Sequence, residues 1–210
     1  MKTAIKNLFA AILTVAISAT APTFVNAKEA KKVTVLSAVK NFNKLNVSGN
    51  VEVILVQSAN PSVQVYDNYY AKNALVQEKD GELRISSFDK ETLTVVVYAS
   101  QLNEITASDK AVVKTNGKFS TLNLEVNLKD QAKATLNTNT VDLFAKVNDK
   151  ASLNLSGSTT DYNAVIGSFA SLSSEKFIAE NTNIQSKNTA VAQTQSVNST
   201  LPTEDILTLF

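Results

Sequence analysis

Three segments of this chain share one pattern: DKAVVKT at residues 109–115, DQAKATL at 130–136 and DKASLNL at 149–155. An alanine stands third in each segment. Looser copies extend the series, so that five alanines follow one another at intervals of 21, 19, 19 and 20 residues: Ala111, Ala132, Ala151, Ala170 and Ala190. A period of about 20 residues is typical of solenoids, in which each repeat forms one turn of the chain.

Apolar and polar residues alternate within each repeat. Counted from the alanine, even offsets hold mainly apolar or small side chains, such as Val113 and Leu153, whereas odd offsets hold mainly polar ones, such as Lys114 and Asn154. An alternation of period two is typical of β-strands with one buried face. Because the parity is the same in every repeat, like residues should stack in columns. We therefore predict an all-β protein, a parallel β-solenoid with coils of about 20 residues.

Each coil is predicted to contain two strands, for example residues 122–128 and 132–136, joined by a polar corner. Asp109, Asp130 and Asp149 stand at this corner, two residues before the alanine. Short polar side chains hydrogen-bond nearby backbone and tolerate left-handed conformations. A second corner is expected near residues 116–117, 137–139, 156–158 and 174.

The three stacked aspartates are also the metal candidates of the chain. Carboxylates at coil spacing could hold Ca²⁺, which takes about six to eight oxygen ligands. The favoured alternative is a corner ladder that accepts hydrogen bonds from backbone amides, with Lys110 and Lys150 as neighbouring counter-charges. We therefore predict no bound metal and no cofactor.

Residues 1–27 resemble a secretory signal. Lys2 and Lys6 supply a positive start, residues 8–17 are apolar, and a small residue, Ala27, ends the segment. The apolar run is too short to span a membrane; the alternative is a buried N-terminal helix. We expect a mature chain of residues 28–210 without a membrane span, located in the periplasm, at the cell surface or outside the cell.

The rest of the mature chain divides into three parts. Residues 28–41 are expected to form a leader and a first strand, residues 42–198 the β-helix domain, and residues 199–210 an apolar C-terminal cap. A partner-docking or export tail is the alternative for the last segment. Between residues 42 and 99 the alternation does not form regular columns, which predicts irregular opening coils. Within this region, Asp80-Gly81 predicts a projecting hairpin.

The chain lacks the side chains that most catalytic sites need. It contains no His and no Cys, which excludes Ser-His-Asp and Cys-His catalysis and the usual zinc sites. Arg84 is the only arginine, and the lysines are scattered along the sequence. Without Lys2 and Lys6, the mature chain has 18 basic and 19 acidic residues, so its net charge does not indicate a nucleic-acid partner. We predict that the protein is not an enzyme.

Tyr66, Tyr69 and Tyr70 form the one aromatic cluster with a candidate role in binding. Aromatic side chains in a loop could stack on a sugar ring. The alternative is that this loop packs against the body of the domain.

The segment FNKLNVSGNVEV at residues 42–53 resembles the start of the putative auto-transporter adhesin head domain family, the GIN domain. Further similar elements are Leu83-Arg84-Ile85, the valines 95–97, Leu102-Asn103-Glu104-Ile105 and the Ser156-Gly157-Ser158 corner. The resemblance covers about residues 42–195. It implies a right-handed β-helix and a cell-envelope protein of Bacteroidota type, and it supplies no catalytic residues.

These observations lead to one expected function and two alternatives. The expected function is a non-enzymatic, adhesin-like protein that binds a surface glycan or a protein through an extended solenoid surface. The alternatives are a polysaccharide-active β-helix enzyme and an assembly element that forms homo-oligomers through its faces or ends.

Overall fold

The computed structural model describes residues 33–36, 39, 42–66 and 74–187, and the regular elements among these residues are all β-strands. The predicted all-β class is therefore confirmed. The strands are β1 (Val33–Leu36), β2 (Lys44–Gly49), β3 (Val51–Gln57), β4 (Ser62–Tyr66), β5 (Ala74–Lys79), β6 (Glu82–Ser87), β7 (Leu93–Ala99), β8 (Glu104–Ala107), β9 (Val112–Thr115), β10 (Phe119–Ser120), β11 (Asn123–Leu128), β12 (Lys133–Asn139), β13 (Asp142–Val147), β14 (Ser152–Ile166) and β15 (Ser171–Ser186).

Strands of successive repeats pair in parallel. β11 pairs with β8 on one side and β13 on the other, so that Val126 lies opposite both Ile105 and Ala145. β12 likewise pairs with β9 and with the first half of β14, which places Ala134 opposite Val113 and Leu153. The predicted columns are therefore present, and like residues face the same way in each.

Inward-facing residues of these columns form the core. Val126, Ala145 and Leu153 have no exposed surface, and a single hydrophobic cluster contains residues from both sets of strands. Burying one such valine or leucine side chain contributes about 1.5–3 kcal/mol. The parity read from the sequence is confirmed for the repeats between residues 104 and 166.

The sheet as a whole is mixed. β1 pairs antiparallel with β4, β4 with β7, and β5 with β6. The strand order is β1-β4-β7-β3-β9-β12-β14-β13-β11-β8-β2-β6-β5, with β10 beside β12 and β15 beside β14. The antiparallel strands thus lie toward the two ends of this order. The predicted hairpin is confirmed, because Asp80 and Gly81 connect β5 to β6 with φ angles of 53° and 76°.

The opening strands do not follow chain order. β3 lies between β7 and β9, and β2 lies between β6 and β8, in every case in parallel. Residues 44–57 are therefore held between residues 82–99 and residues 104–115. The irregular pattern that the sequence shows between residues 42 and 99 corresponds to this interleaved pairing.

The second predicted corner separates β9 from β10 at residues 116–117, but it does not interrupt the strands at residues 137–139 and 156–158. β14 continues through Ser156-Gly157-Ser158, and β12 through residues 137–139, with unbroken pairing between the two. Gly157 makes the change of direction with φ 101°, and a side chain there would overlap the carbonyl oxygen of Thr138. A glycine bend therefore replaces a loop at this position. The expectations for residues 1–27, for the fifth repeat at Ala190 and for the tail at 199–210 lie outside the described residues.

Candidate functional site

The aspartates at the first corner form a ladder that runs across the repeats. The Oδ2 atom of Asp109 accepts a hydrogen bond from the backbone N–H of Gly49 at 3.0 Å. Asp130 accepts one from the N–H of Asp109, and Asp149 accepts one from the N–H of Asp130, both at 3.1 Å. Each carboxylate thus satisfies a backbone donor that lies 19 to 60 residues earlier in the chain, and the ladder connects these segments.

All three ladder aspartates have left-handed backbone conformations, with φ angles of 59°, 59° and 55°. Asp and Asn adopt this conformation more readily than other residues with a side chain. The recurring aspartate therefore serves twice, by tolerating the corner conformation and by supplying the acceptor oxygen.

The ladder leads into the opening strands through Gly49. The φ angle of Gly49 is 80°, and a side chain there would overlap the carbonyl oxygen of Ser87, which accepts a hydrogen bond from the N–H of Asn50 at 2.6 Å. A glycine is required at this point, where β2 and β6 approach. The sequence gives one indication of this role, since Gly49 belongs to the segment 42–53 that resembles the start of the family domain.

The ladder is not arranged as a metal centre. Among the residues that the structure describes, no group of three or more Asp, Glu, His or Cys side chains is placed to hold a metal ion. One oxygen of each ladder carboxylate is already engaged by a backbone donor. The geometry of Asp109, Asp130 and Asp149 supports the structural role.

The tyrosine cluster is only partly described. The hydroxyl of Tyr66 donates to Oε1 of Gln64 at 3.0 Å, on a half-buried position of β4. Tyr69 and Tyr70 lie outside the described residues, so their proposed contact with a sugar remains a prediction.

Arg84 is tied to a neighbouring carboxylate. Its Nε and Nη2 atoms donate to Oε2 of Glu82 at 2.9 and 2.6 Å. The hydrogen bonds from Arg84 and then from Asn46 hold the pKa of Glu82 below its ordinary value. The only arginine of the chain thus belongs to an exposed ion pair on β6.

Two outward faces of the sheet offer extended surfaces, and they differ in charge. The acidic face is formed by β8, β11 and β13, and the lysine face by β9, β12 and the first half of β14. The outward residues of the acidic face are Glu104, Thr106, Asn123, Glu125, Asn127, Asp142, Phe144 and Lys146. The outward residues of the lysine face are Val112, Lys114, Lys133, Thr135, Asn137, Ser152, Asn154 and Ser156.

Each face contains an open depression. The depression on the acidic face has a volume of about 490 Å³ and is lined in part by Glu125, Phe144 and Lys146. Phe144 is 38% exposed on this face. The depression beside the lysine face has a volume of about 380 Å³, within the range of small-ligand sites.

The second depression brings together lysines that are far apart in the sequence. It is lined by Lys110, Val112, Gln131, Lys133 and Lys150. Lys110 and Lys150 follow ladder aspartates, while Lys133 lies on β12. Reading the polar columns for charge, as well as for polarity, would have revealed this grouping.

The described residues thus form an all-β domain with repeated outward faces, of the kind that many binding proteins present. The chain belongs to the family described as "Putative auto-transporter adhesin, head GIN domain", whose model matches residues 41–201. The resemblance noted in the sequence is therefore confirmed. No curated protein matches the chain by sequence.

Several solved structures have a similar fold. A structure called a putative adhesin, from Parabacteroides distasonis, matches with a TM-score of 0.56 and 15% identity over 74% of this chain and 79% of its own. A putative adhesin from Parabacteroides merdae matches with a TM-score of 0.53 and 16% identity, over 76% and 78% of the two chains.

A third structure, called a putative lipid binding protein from Parabacteroides distasonis, matches with a TM-score of 0.54 and 11% identity over 76% and 79%. At these identities the likeness concerns the fold. In the described part of the chain, no helix is long and apolar enough to cross a membrane.

Proposed function

We propose that this protein is exported and acts as a non-enzymatic, adhesin-like binding protein. It contacts a surface glycan or a protein through the outward faces of a right-handed parallel β-helix. The main support is the parallel register of the repeats, which places equivalent outward residues of β8, β11 and β13, and of β9, β12 and β14, side by side. Adjacent strands lie about 4.8 Å apart, so a polymeric ligand meets similar side chains at regular intervals.

The β-helix interpretation rests on the same pairing. Two sets of parallel strands, each repeating every 19 to 21 residues, share one core. Such an arrangement fits coils that stack one upon another. In this proposal the antiparallel strands β1, β4 and β5 are additions at the ends of the strand order.

Export is proposed from residues 1–27, which have the composition of a signal, and agrees with membership in an adhesin family. Removal of the signal would leave residues 28–210 in the periplasm, at the cell surface or outside the cell. N-terminal sequencing of the protein from its native host should find residue 28 first.

The enzyme alternative finds little support in the side chains. Polysaccharide cleavage needs a general base or acid near the substrate. The sequence has no His or Cys, and Arg84 is held by Glu82. The lysine depression contains basic groups, but no carboxylate lines it.

An array of glycans and surface proteins, probed with the purified labelled protein, tests the proposed function. We expect retention on a restricted set of ligands without change to them. Retention on none would contradict the adhesin-like function. Release of new reducing ends or unsaturated oligosaccharides from a bound polymer would support the enzyme alternative instead.

A further inference from the structure

Three lysines from three different places in the sequence gather around one depression. Lys110 comes from the corner before β9, Lys133 from β12, and Lys150 from the corner before β14. All three are exposed, and Gln131 and the half-buried Val112 complete the lining. Like charges repel one another, so the grouping favours an anionic ligand.

Among the described residues, none of these three lysines has a carboxylate partner within 4.0 Å. Ion pairs between described residues are formed instead by Lys44, Arg84 and Lys114. Lys114 on the same face pairs with Glu52 at 2.7 Å, which shows that the nearest acidic side chain of β3 is already engaged.

The nearest carboxylates in the sequence belong to the ladder. Asp109, Asp130 and Asp149 each direct Oδ2 to a backbone N–H of an earlier segment of the chain. The outward positions of β9, β12 and the first half of β14 contain no Asp or Glu. The ladder carboxylates keep their negative charge, but none of them lines the depression, whose charged lining residues are the three lysines.

Neutral polar side chains extend the surface from the depression along the sheet. Lys133 lies opposite Ser152, which lies opposite Ser171, and Thr135 lies opposite Asn154 in the adjoining row. Hydroxyl and amide groups both donate and accept hydrogen bonds, as sugar hydroxyls require. The surface thus combines a cationic centre with a row of groups suited to a carbohydrate.

We propose that this depression binds the carboxylate or sulfate groups of an acidic polysaccharide, with Lys110, Lys133 and Lys150 as the anion-contacting residues. The proposal rests on the proposed binding function and names its ligand class. Lysine ammonium groups act as compact point charges with three donors each, which suits anionic groups of varied geometry.

Nucleic acid and anionic membranes fit this surface less well. Single-stranded nucleic acids stack their bases on aromatic side chains, and the outward residues of the lysine face include none. Binding to an anionic bilayer generally needs a larger cluster of about four to eight basic residues. Three lysines beside a row of Ser, Thr and Asn match a charged glycan better.

The test compares purified wild-type protein with two variants of equal net charge. The site variant combines Lys110→Gln, Lys133→Gln and Lys150→Gln. The control variant combines Lys79→Gln, Lys118→Gln and Lys187→Gln, which are exposed lysines outside both depressions. Both should melt like the wild type, because the substituted side chains are exposed. The single variant Lys133→Gln serves if the triple variant does not fold.

Binding is measured by calorimetry against polygalacturonate, dextran sulfate, neutral dextran and vesicles containing phosphatidylglycerol. We expect binding to the two acidic polymers only. Each exposed lysine–anion contact is worth a few-fold in affinity, so the site variant should bind about tenfold or more weakly. The control variant should remain within about twofold of the wild type, apart from general screening by salt.

Several outcomes would overturn the assignment. Equal losses in both variants would mean that net charge alone matters, and no loss in the site variant would place the ligand elsewhere. Lysine-dependent binding to the vesicles would identify a membrane instead. Binding to neutral dextran alone, or to a protein on the array and to no acidic polymer, would refute this site while leaving the proposed adhesin-like function intact. Retention on no ligand at all would refute the function itself.

Discussion

Substitution of Asp130 separates the two tasks of a ladder residue. Its φ angle is 59°, and its Oδ2 accepts from the N–H of Asp109 at 3.1 Å. Alanine loses the acceptor, which costs about 1 kcal/mol for an exposed hydrogen bond. Alanine is also strained in the left-handed region by about 1 kcal/mol or somewhat more. Asp130→Ala should therefore lower the free energy of unfolding by about 2 kcal/mol.

Two further substitutions at Asp130 divide this total. Asp130→Gly loses the acceptor but relieves the strained backbone, so we expect a loss of about 1 kcal/mol. Asp130→Asn keeps an acceptor oxygen and tolerates the same φ angle, so the loss should be about 0.5 kcal/mol or less. In all three variants the backbone N–H of residue 130 can still donate to Asp149.

Urea titration followed by far-UV circular dichroism measures these differences. Lys129→Ala is the control, because that side chain is exposed beside the same corner and should change stability by less than about 0.5 kcal/mol. Equal losses for the glycine and alanine variants would refute the contribution of backbone strain. If the asparagine variant lost as much stability as the alanine variant, the negative charge itself would be needed. That result would contradict the role of residue 130 as a neutral-tolerant hydrogen-bond acceptor.

Four other expectations follow from the same structure. Leu153→Ala should cost about 2–5 kcal/mol because the side chain is fully buried, whereas the outward Ser152→Ala should cost less than about 0.5 kcal/mol; equal effects in urea titration would refute the assigned parity. Gly49→Ala should lower the melting temperature by several degrees, because its new methyl group overlaps backbone, and an unchanged melt would contradict this contact. Burial raises the pKa of Tyr162 to about 12, so the unfolded chain loses this proton at a lower pH than the folded protein, and stability should fall as the pH rises from about 10 to about 12. Tyr162→Phe should lessen that fall in melts at alkaline pH. An identical fall in the variant would show that Tyr162 is not its cause. EDTA should leave the melting temperature of the wild type unchanged, and a rise of several degrees with added Ca²⁺ would instead identify a bound ion.

The repeats between residues 104 and 166 could be predicted because each strand pairs with the strand one period away. The alternation of apolar and polar residues then predicts which side chains are buried, as it does for Val126 and Leu153. The aspartate corners could also be predicted, because Asp tolerates left-handed backbone and recurs two residues before the alanine of each of these repeats. The Asp80-Gly81 hairpin followed from turn chemistry alone.

The strand order at the start of the domain could not be predicted in this way. Residues 44–57 pair with a segment 38 to 42 residues later and with another 60 residues later, so no single period describes them. The grouping of Lys110, Lys133 and Lys150 has a different explanation. All three stand at odd offsets beside the repeated alanines, and it is visible in the sequence only when these offsets are compared for charge as well as for polarity.

The position of residues 44–57 also bears on how the domain folds. A stack in chain order can grow by adding each new coil to the last. Here β2 and β3 emerge from the ribosome before all four strands that they pair with in the sheet, and the last of these partners ends at residue 115. Contacts of such long sequence separation slow folding, because the entropy of closing the loops is lost before pairing compensates for it. Because β2 and β3 are paired on both sides, neither of them is an edge strand that can unpair alone. In hydrogen exchange their amides should therefore exchange through one cooperative opening and not strand by strand.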